Sequence, residues 1–152
     1  MSQDELTTVS VTSYLVNDYG TLKGMSSAGS ALIASHIIQR QTRDGISGPI
    51  AEIGTYEGRF FVALALSAKP TDVLVAIDTF KWPDEGVKER FLANCARFGI
   101  AKERITLHKG DSAELSGSGL KALAGAPARF RHVDGDHTYD AGVHDLRIAY
   151  EA

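Results

Sequence analysis

The stretch Pro49-Ile50-Ala51-Glu52-Ile53-Gly54-Thr55-Tyr56-Glu57-Gly58 decides the reading of the chain. An apolar run ends in a glycine, a short polar loop follows, and a second glycine opens the apolar segment Arg59–Ser67. This is the pattern of a buried strand turning into a helix. Three more apolar runs, Val73–Ile77, Ile105–His108 and Phe130–Val133, have the β-branched content and the Gly, Pro or Asp boundaries of buried strands. With Ile50–Ile53 they start at positions 50, 73, 105 and 130, which leaves room for a crossover helix each time. Helical patterns fill the gaps. Arg59–Ser67 carries Phe60, Phe61, Leu64 and Ala65, and Val87–Phe98 carries Val87, Phe91, Cys95 and Phe98. Ala113–Ala124 is weaker because Gly117 and Gly119 interrupt it. A final helix from about Ala141 places Val143, Leu146 and Tyr150 on one face, and a leading helix, about Ser30–Arg43, carries Leu32, Ile33, His36 and Ile37 at helical spacing. Strand–helix alternation of this kind implies an α/β fold, a parallel sheet with helices on both faces.

Composition narrows the function. The 152 residues are 43% hydrophobic and 23% charged, ordinary values for one compact domain with a real core. The glycine- and serine-rich breakers at 45–49 and 116–119 read as turns, and no internal repeat is visible. Tyr14, Leu15 and Tyr19 point to an N-terminal cover segment over 1–29, ahead of a domain over 30–152. A net charge of −3 argues against a protein whose main work is gripping nucleic acid. The single Cys95 cannot form an internal disulfide. Met1–Leu6 is acidic without an apolar h-region, and no apolar run approaches the ~18 residues of a membrane span. The expected compartment is the cytoplasm, with no membrane partner and a small ligand.

In open α/β sheets, ligands bind outside the carboxyl ends of the strands. After the first strand, Gly54 permits a tight turn and Gly58 a close helix approach, with Thr55 and Tyr56 between them. The spacing is G-x-x-x-G, and Glu52 and Glu57 would repel a pyrophosphate. A cationic cofactor without phosphate suits this loop better, although a plain strand–turn–helix would look the same. After the second strand, Asp78 and Thr79 stand where an acid can accept from a ribose diol, and Phe80 or Trp82 could cover a purine. The alternative, a helix-capping Asp78, is weakened by Pro83 and the gap before Val87. After the third strand, Asp111 with Glu114 resembles a capping box, yet Asp111 could equally accept from an adenine amino group, with Ser112 beside it. After the fourth strand, Asp134-Gly135-Asp136-His137-Thr138-Tyr139-Asp140 places three carboxylates and an imidazole within seven residues. His137 suits a general base, and the carboxylates suit a hard divalent cation; the bland alternative is a polar turn in which Asp136 or Thr138 caps the last helix. His36, His108 and His132 read as packed or half-buried residues, and His144 as facing solvent or the sheet edge.

Taken in order, Glu52-x-Gly54-x-x-x-Gly58, Asp78, Gly110-Asp111-Ser112 and Asp134-Gly135-Asp136-His137 resemble the motif series of class I S-adenosylmethionine-dependent methyltransferases. The stretch Val133–Tyr139 with Asp145-Leu146 is similar to the metal-dependent small-molecule O-methyltransferases of the macrocin type. The resemblance spans about Pro49–Ala152. It implies a Rossmann-like doubly wound sheet in the order 3-2-1-4, truncated after the fourth strand. Gly54 and Gly58 would let the backbone approach the methionine part of the cofactor, and Glu52 would sit near its amino group. Asp78 would bind the ribose, and Asp111 and Ser112 the adenine. Asp134 would hold a divalent metal, Mg²⁺, and His137 would take the proton of a small hydroxylated acceptor, with Asp136 as the rival base. The family's fifth strand, with the acidic pair that completes the metal site, is absent. An unpaired fourth strand predicts self-association, a homo-oligomer. The competing readings are a nucleotide-binding Rossmann unit and a truncated, non-catalytic cofactor-binding or assembly module.

Overall fold

The computed structural model describes residues 9–152. The acidic N-terminus Met1–Leu6 therefore lies outside the described residues. Four strands, β1 (Ile50–Ile53), β2 (Leu74–Asp78), β3 (Ile105–Lys109) and β4 (Phe130–Val133), form one parallel sheet in the order β3-β2-β1-β4. The expected α/β fold and strand order are both present. β2 starts one residue later than its apolar run, and it continues through Asp78 because that residue pairs in register with Lys109.

Helices cover both faces. On one lie α2 (Ala28–Arg43), α3 (Arg59–Ser67) and α4 (Val87–Arg97), packed around Ile50, Leu74 and Ala76. On the other lie α5 (Gly117–Ala124) and α6 (Tyr139–Glu151), packed on Ala51, Ile53, Val75 and Ile77. The alternation of strand side chains between the two clusters is the period-two consequence of the pleat. α3 is apolar on every side and almost wholly buried, since it lies between α2 and the sheet. α5 begins at Gly117, where the Ser116 hydroxyl accepts from the Gly119 N–H; Ala113 belongs to a short 3₁₀ turn, Ser112–Glu114. The two glycines thus shorten the expected helix without dividing it.

The two apolar stripes named from the sequence face outward. On α2 the buried stripe is Ala31, Ala34, Ser35 and Ile38, whereas Leu32, Ile33, His36 and Ile37 are exposed. The small residues bring α2 close to α3, where the Ser67 hydroxyl donates to Ser35 Oγ at 2.9 Å. On α6 the buried stripe is Asp145, Ile148 and Ala149, and Val143, Leu146 and Tyr150 face outward.

Ahead of α2, α1 (Val11–Ser13) continues through a π-helical turn, Tyr14–Asp18, and a 3₁₀ turn, Tyr19–Thr21. Val11, Tyr14, Tyr19 and Leu22 are buried in the α2–α3–α4 core. The Tyr14 hydroxyl donates to the Arg59 carbonyl at 2.7 Å, and Arg59 returns Nε to the Tyr19 carbonyl and Nη1 to the Gly24 carbonyl. Arg59 therefore straps this segment across the carboxyl end of β1. At the opposite end of the sheet, the buried Arg129–Asp72 pair at 2.7 Å joins the starts of β4 and β2.

Candidate functional site

Strand order reverses between β1 and β4, and a crevice opens at their carboxyl ends, as expected at a switch point. It is a cleft of about 770 Å³. Its walls come from Glu52 through Tyr56, Asp78 and Thr79, Gly110 through Ser112, and Asp134 through His137, with the Lys23–Ser26 strap and Trp82 at its rim. The structure therefore brings together nearly every candidate residue from four separate loops. Gly58 is the exception: it sits behind the loop at φ 88°, where a Cβ would press on Phe91.

The first loop is shaped by Gly54. Its φ is 87°, and a Cβ there would collide with the carbonyl oxygen of Asp134. Glycine is what lets the chains leaving β1 and β4 run this close. Glu57 turns away from the cleft. It is buried and accepts from Arg90 Nε at 2.6 Å, so it does not confront a ligand. The acidic character of the floor comes from Glu52 and Asp78 instead.

Glu52 is 1% exposed. Its Oε1 lies 2.8 Å from His132 Nδ1, and its Oε2 has no hydrogen-bond partner among the described residues. Burial pushes its carboxyl up to about 7, against a smaller opposing pull from His132. An unpaired buried oxygen at the floor of a cleft calls for a cationic or hydrogen-bond-donating ligand. Asp78 is held at both oxygens: Oδ2 accepts the Tyr56 N–H at 2.8 Å and Oδ1 the Phe80 N–H at 2.7 Å. Each oxygen retains acceptor capacity for a diol. Asp78 caps no helix, since α4 starts at Val87 behind Gly86. Phe80 is fully buried against Phe91, so it covers no ligand; Trp82, 66% exposed and tilted against Tyr56 with ring centroids 5.3 Å apart, stands at the rim of the cleft.

Asp111 does cap: its Oδ1 accepts the Ala113 N–H at 2.9 Å, which fixes the turn that carries Ser112 into the cleft. His144 is half-buried and does not face solvent. Its Nε2–H donates to the carbonyls of Ser112 (2.9 Å) and Leu115 (3.1 Å), so α6 braces the same turn. In the last loop, Asp136 Oδ1 accepts the Thr138 N–H at 2.9 Å, and Thr138 caps α6. His137 is 76% exposed, with Nε2 at 3.6 Å from Asp134 Oδ1. Among the described residues no group of three or more His, Cys, Asp or Glu is placed to hold a metal ion. Asp134 and His137 are two groups only, short of the oxygen ligand set that Mg²⁺ takes. No described helix is long and apolar enough to cross a membrane.

His132 is the site residue that the sequence reading passed over. The clue lay in the strand order: with β4 beside β1, Glu52 and His132 fall in register on the same face.

Comparison with known proteins agrees with this geometry. A family model described as "Methyltransferase domain" matches residues 51–152. A search of curated proteins finds no match. Among solved structures, the chain is similar to the apo structure of CalS11, a TDP-rhamnose 3'-O-methyltransferase of calicheamicin biosynthesis. The TM-score is 0.56 and the identity 24%, over 89% of this chain and 62% of that one. This chain thus spans less than two thirds of that protein's length, and the likeness is one of fold. The family match covers the strands, the glycine loop and all four acidic loop ends, and it places the chain in the methyltransferase-domain family.

Proposed function

We propose that this chain is the cofactor-binding part of an S-adenosylmethionine-dependent methyltransferase that acts on a hydroxyl of a small molecule in the cytoplasm. The observation that carries the reading is Glu52 Oε2, a buried oxygen without a partner among the described residues, in a cleft whose glycine loop contains no lysine or arginine and whose Arg59 is engaged by the Tyr19 and Gly24 carbonyls. Such a floor fits an ammonium and disfavours a pyrophosphate, which counts against a nucleotide-binding Rossmann unit. Bound there, S-adenosylmethionine would supply an electrophilic methyl group on a sulfonium.

Glu52 would accept from the amino group of that cofactor, and Gly54 would admit its methionine part against the backbone. Asp78, immobilised by two backbone N–H groups, would accept from the ribose diol. Ser112 and Asp111 would meet the adenine edge, and Trp82 its face. His137, at the open side of the cleft, would take the proton of the acceptor hydroxyl as that oxygen bonds to the methyl carbon and the sulfur–methyl bond breaks to leave the thioether, with Asp134 supporting the resulting imidazolium. Asp136, committed to its turn, is the rival base.

A second reading, a non-catalytic binding or assembly module, is favoured by the exposed α6 face of Tyr139, Leu146 and Tyr150. Turnover separates the two. With S-adenosylmethionine and simple diols or catechols, with and without Mg²⁺, the first reading expects methyl ether formation. Cofactor binding without turnover in any of these mixtures supports the second.

A further inference from the structure

We infer that His132 is a positioning residue for the cofactor's amino-acid end: it fixes Glu52 so that one carboxylate oxygen stays directed into the cleft. The inference rests on the cofactor reading above and adds a residue to it. His132 lies beside Glu52 in the β1–β4 register, with Nδ1 2.8 Å from Glu52 Oε1. Its ring is itself immobilised, stacked on Phe60 with centroids 3.7 Å apart and planes within 8°. Phe60 stands in the first turn of α3 and lines the cleft. The order of support is therefore Phe60, then His132, then Glu52.

A glutamate has several side-chain torsions, and a buried carboxyl with no partner would settle in whichever orientation costs least. The His132 contact occupies Oε1 and leaves Oε2 as the oxygen without a partner among the described residues. An ammonium placed against Oε2 then meets an acceptor whose orientation is already set, so little ordering remains for the ligand to impose. A residue that merely held β4 to β1 would matter equally for every ligand of the cleft. A residue that acts through Glu52 matters only for ligands bearing the amino acid.

Two ligands make that distinction. S-adenosylhomocysteine carries adenosine, thioether and amino acid; 5′-methylthioadenosine keeps the first two and lacks the third. Calorimetric titration of both into the wild-type chain and into Glu52→Gln, His132→Phe and His132→Asn tests the inference. His132→Phe is expected to weaken S-adenosylhomocysteine by at least about tenfold while leaving 5′-methylthioadenosine within about twofold. His132→Asn, whose amide N–H replaces Nδ1, is expected to restore most of the loss. On a Glu52→Gln background, His132→Phe is expected to add little. The role of His132 is overturned if both of its variants weaken the two ligands alike, or weaken neither. Should His132→Phe fail to fold, His132→Leu takes its place: it is expected to weaken S-adenosylhomocysteine by at least about tenfold and leave 5′-methylthioadenosine within about twofold, and loss of both ligands alike or of neither overturns the role. A wild-type chain that binds neither ligand overturns the cofactor reading itself, a different outcome from one that binds both with variants that do not discriminate.

Discussion

Glu52 is the cleft carboxyl whose ionisation burial pushes upward. Water is removed from its carboxyl, so the neutral form is favoured and the ionisation moves up to about 7. A folded-state value above the unfolded one means that the folded chain holds the proton longer. The stabilising contribution is complete below the unfolded value near about 4.3 and is lost as pH rises through the folded value. Denaturant melts of the unliganded chain should therefore show stability falling from about pH 5 to pH 8, with a smaller fall in Glu52→Gln. An unchanged slope in that variant would show that Glu52 is already ionised when folded. His137 supplies the second residue-scale prediction. In any form that turns over, His137→Ala should lower the rate by about 10²–10⁴-fold and leave cofactor affinity nearly unchanged. An active His137→Ala enzyme with an inactive Asp136→Ala would move the base to Asp136.

Elements explain both what the sequence disclosed and what it concealed. The four strands were legible because each is a short apolar run with a polar or glycine stop, and their order puts every stop at one end of the sheet. That is why Glu52, Gly54, Asp78, Ser112 and Asp134 converge from distant positions. The helices were located well but oriented poorly. On α2 the larger side chains Leu32, Ile33 and Ile37 form the more apolar stripe, yet close packing on α3 selects the small residues Ala31, Ala34 and Ser35. On α6 a buried Asp145 interrupts the stripe that Ile148 and Ala149 complete, so the outward Val143, Leu146 and Tyr150 looked more apolar. Periodicity finds a stripe; the neighbour's shape decides which stripe is buried. The same loss of neighbour information hid His132. At the junction of elements, Gly54 is the most constrained position of the site, because its Cα faces the Asp134 carbonyl at a positive φ. Gly54→Ala should destabilise the chain by at least about 1–3 kcal/mol in denaturant unfolding, since it meets strain and a backbone clash together. A variant as stable as wild type would mean that the β1 and β4 exits separate easily.

At the scale of the whole molecule, the described sheet ends in two edge strands, β3 and β4, and one helical face stands exposed. β4 pairs only with β1 in the described sheet, and Tyr139, Leu146 and Tyr150 lie exposed along α6. Unpaired backbone and apolar surface of this kind favour association. The chain should therefore scatter light as an oligomer, and Leu146→Glu with Tyr150→Glu should shift it toward monomer. A monomer at high concentration, with slowly exchanging amides over Phe130–Val133, would contradict this. The cleft that the whole sheet builds is tested most directly by equilibrium binding: titration of S-adenosylhomocysteine and of NADH into the wild-type chain and Asp78→Ala. S-adenosylhomocysteine is expected to bind and NADH is not, and Asp78→Ala is expected to weaken binding by about 1.5–3 kcal/mol through the lost charged acceptor. Binding of NADH without S-adenosylhomocysteine would contradict the cofactor reading.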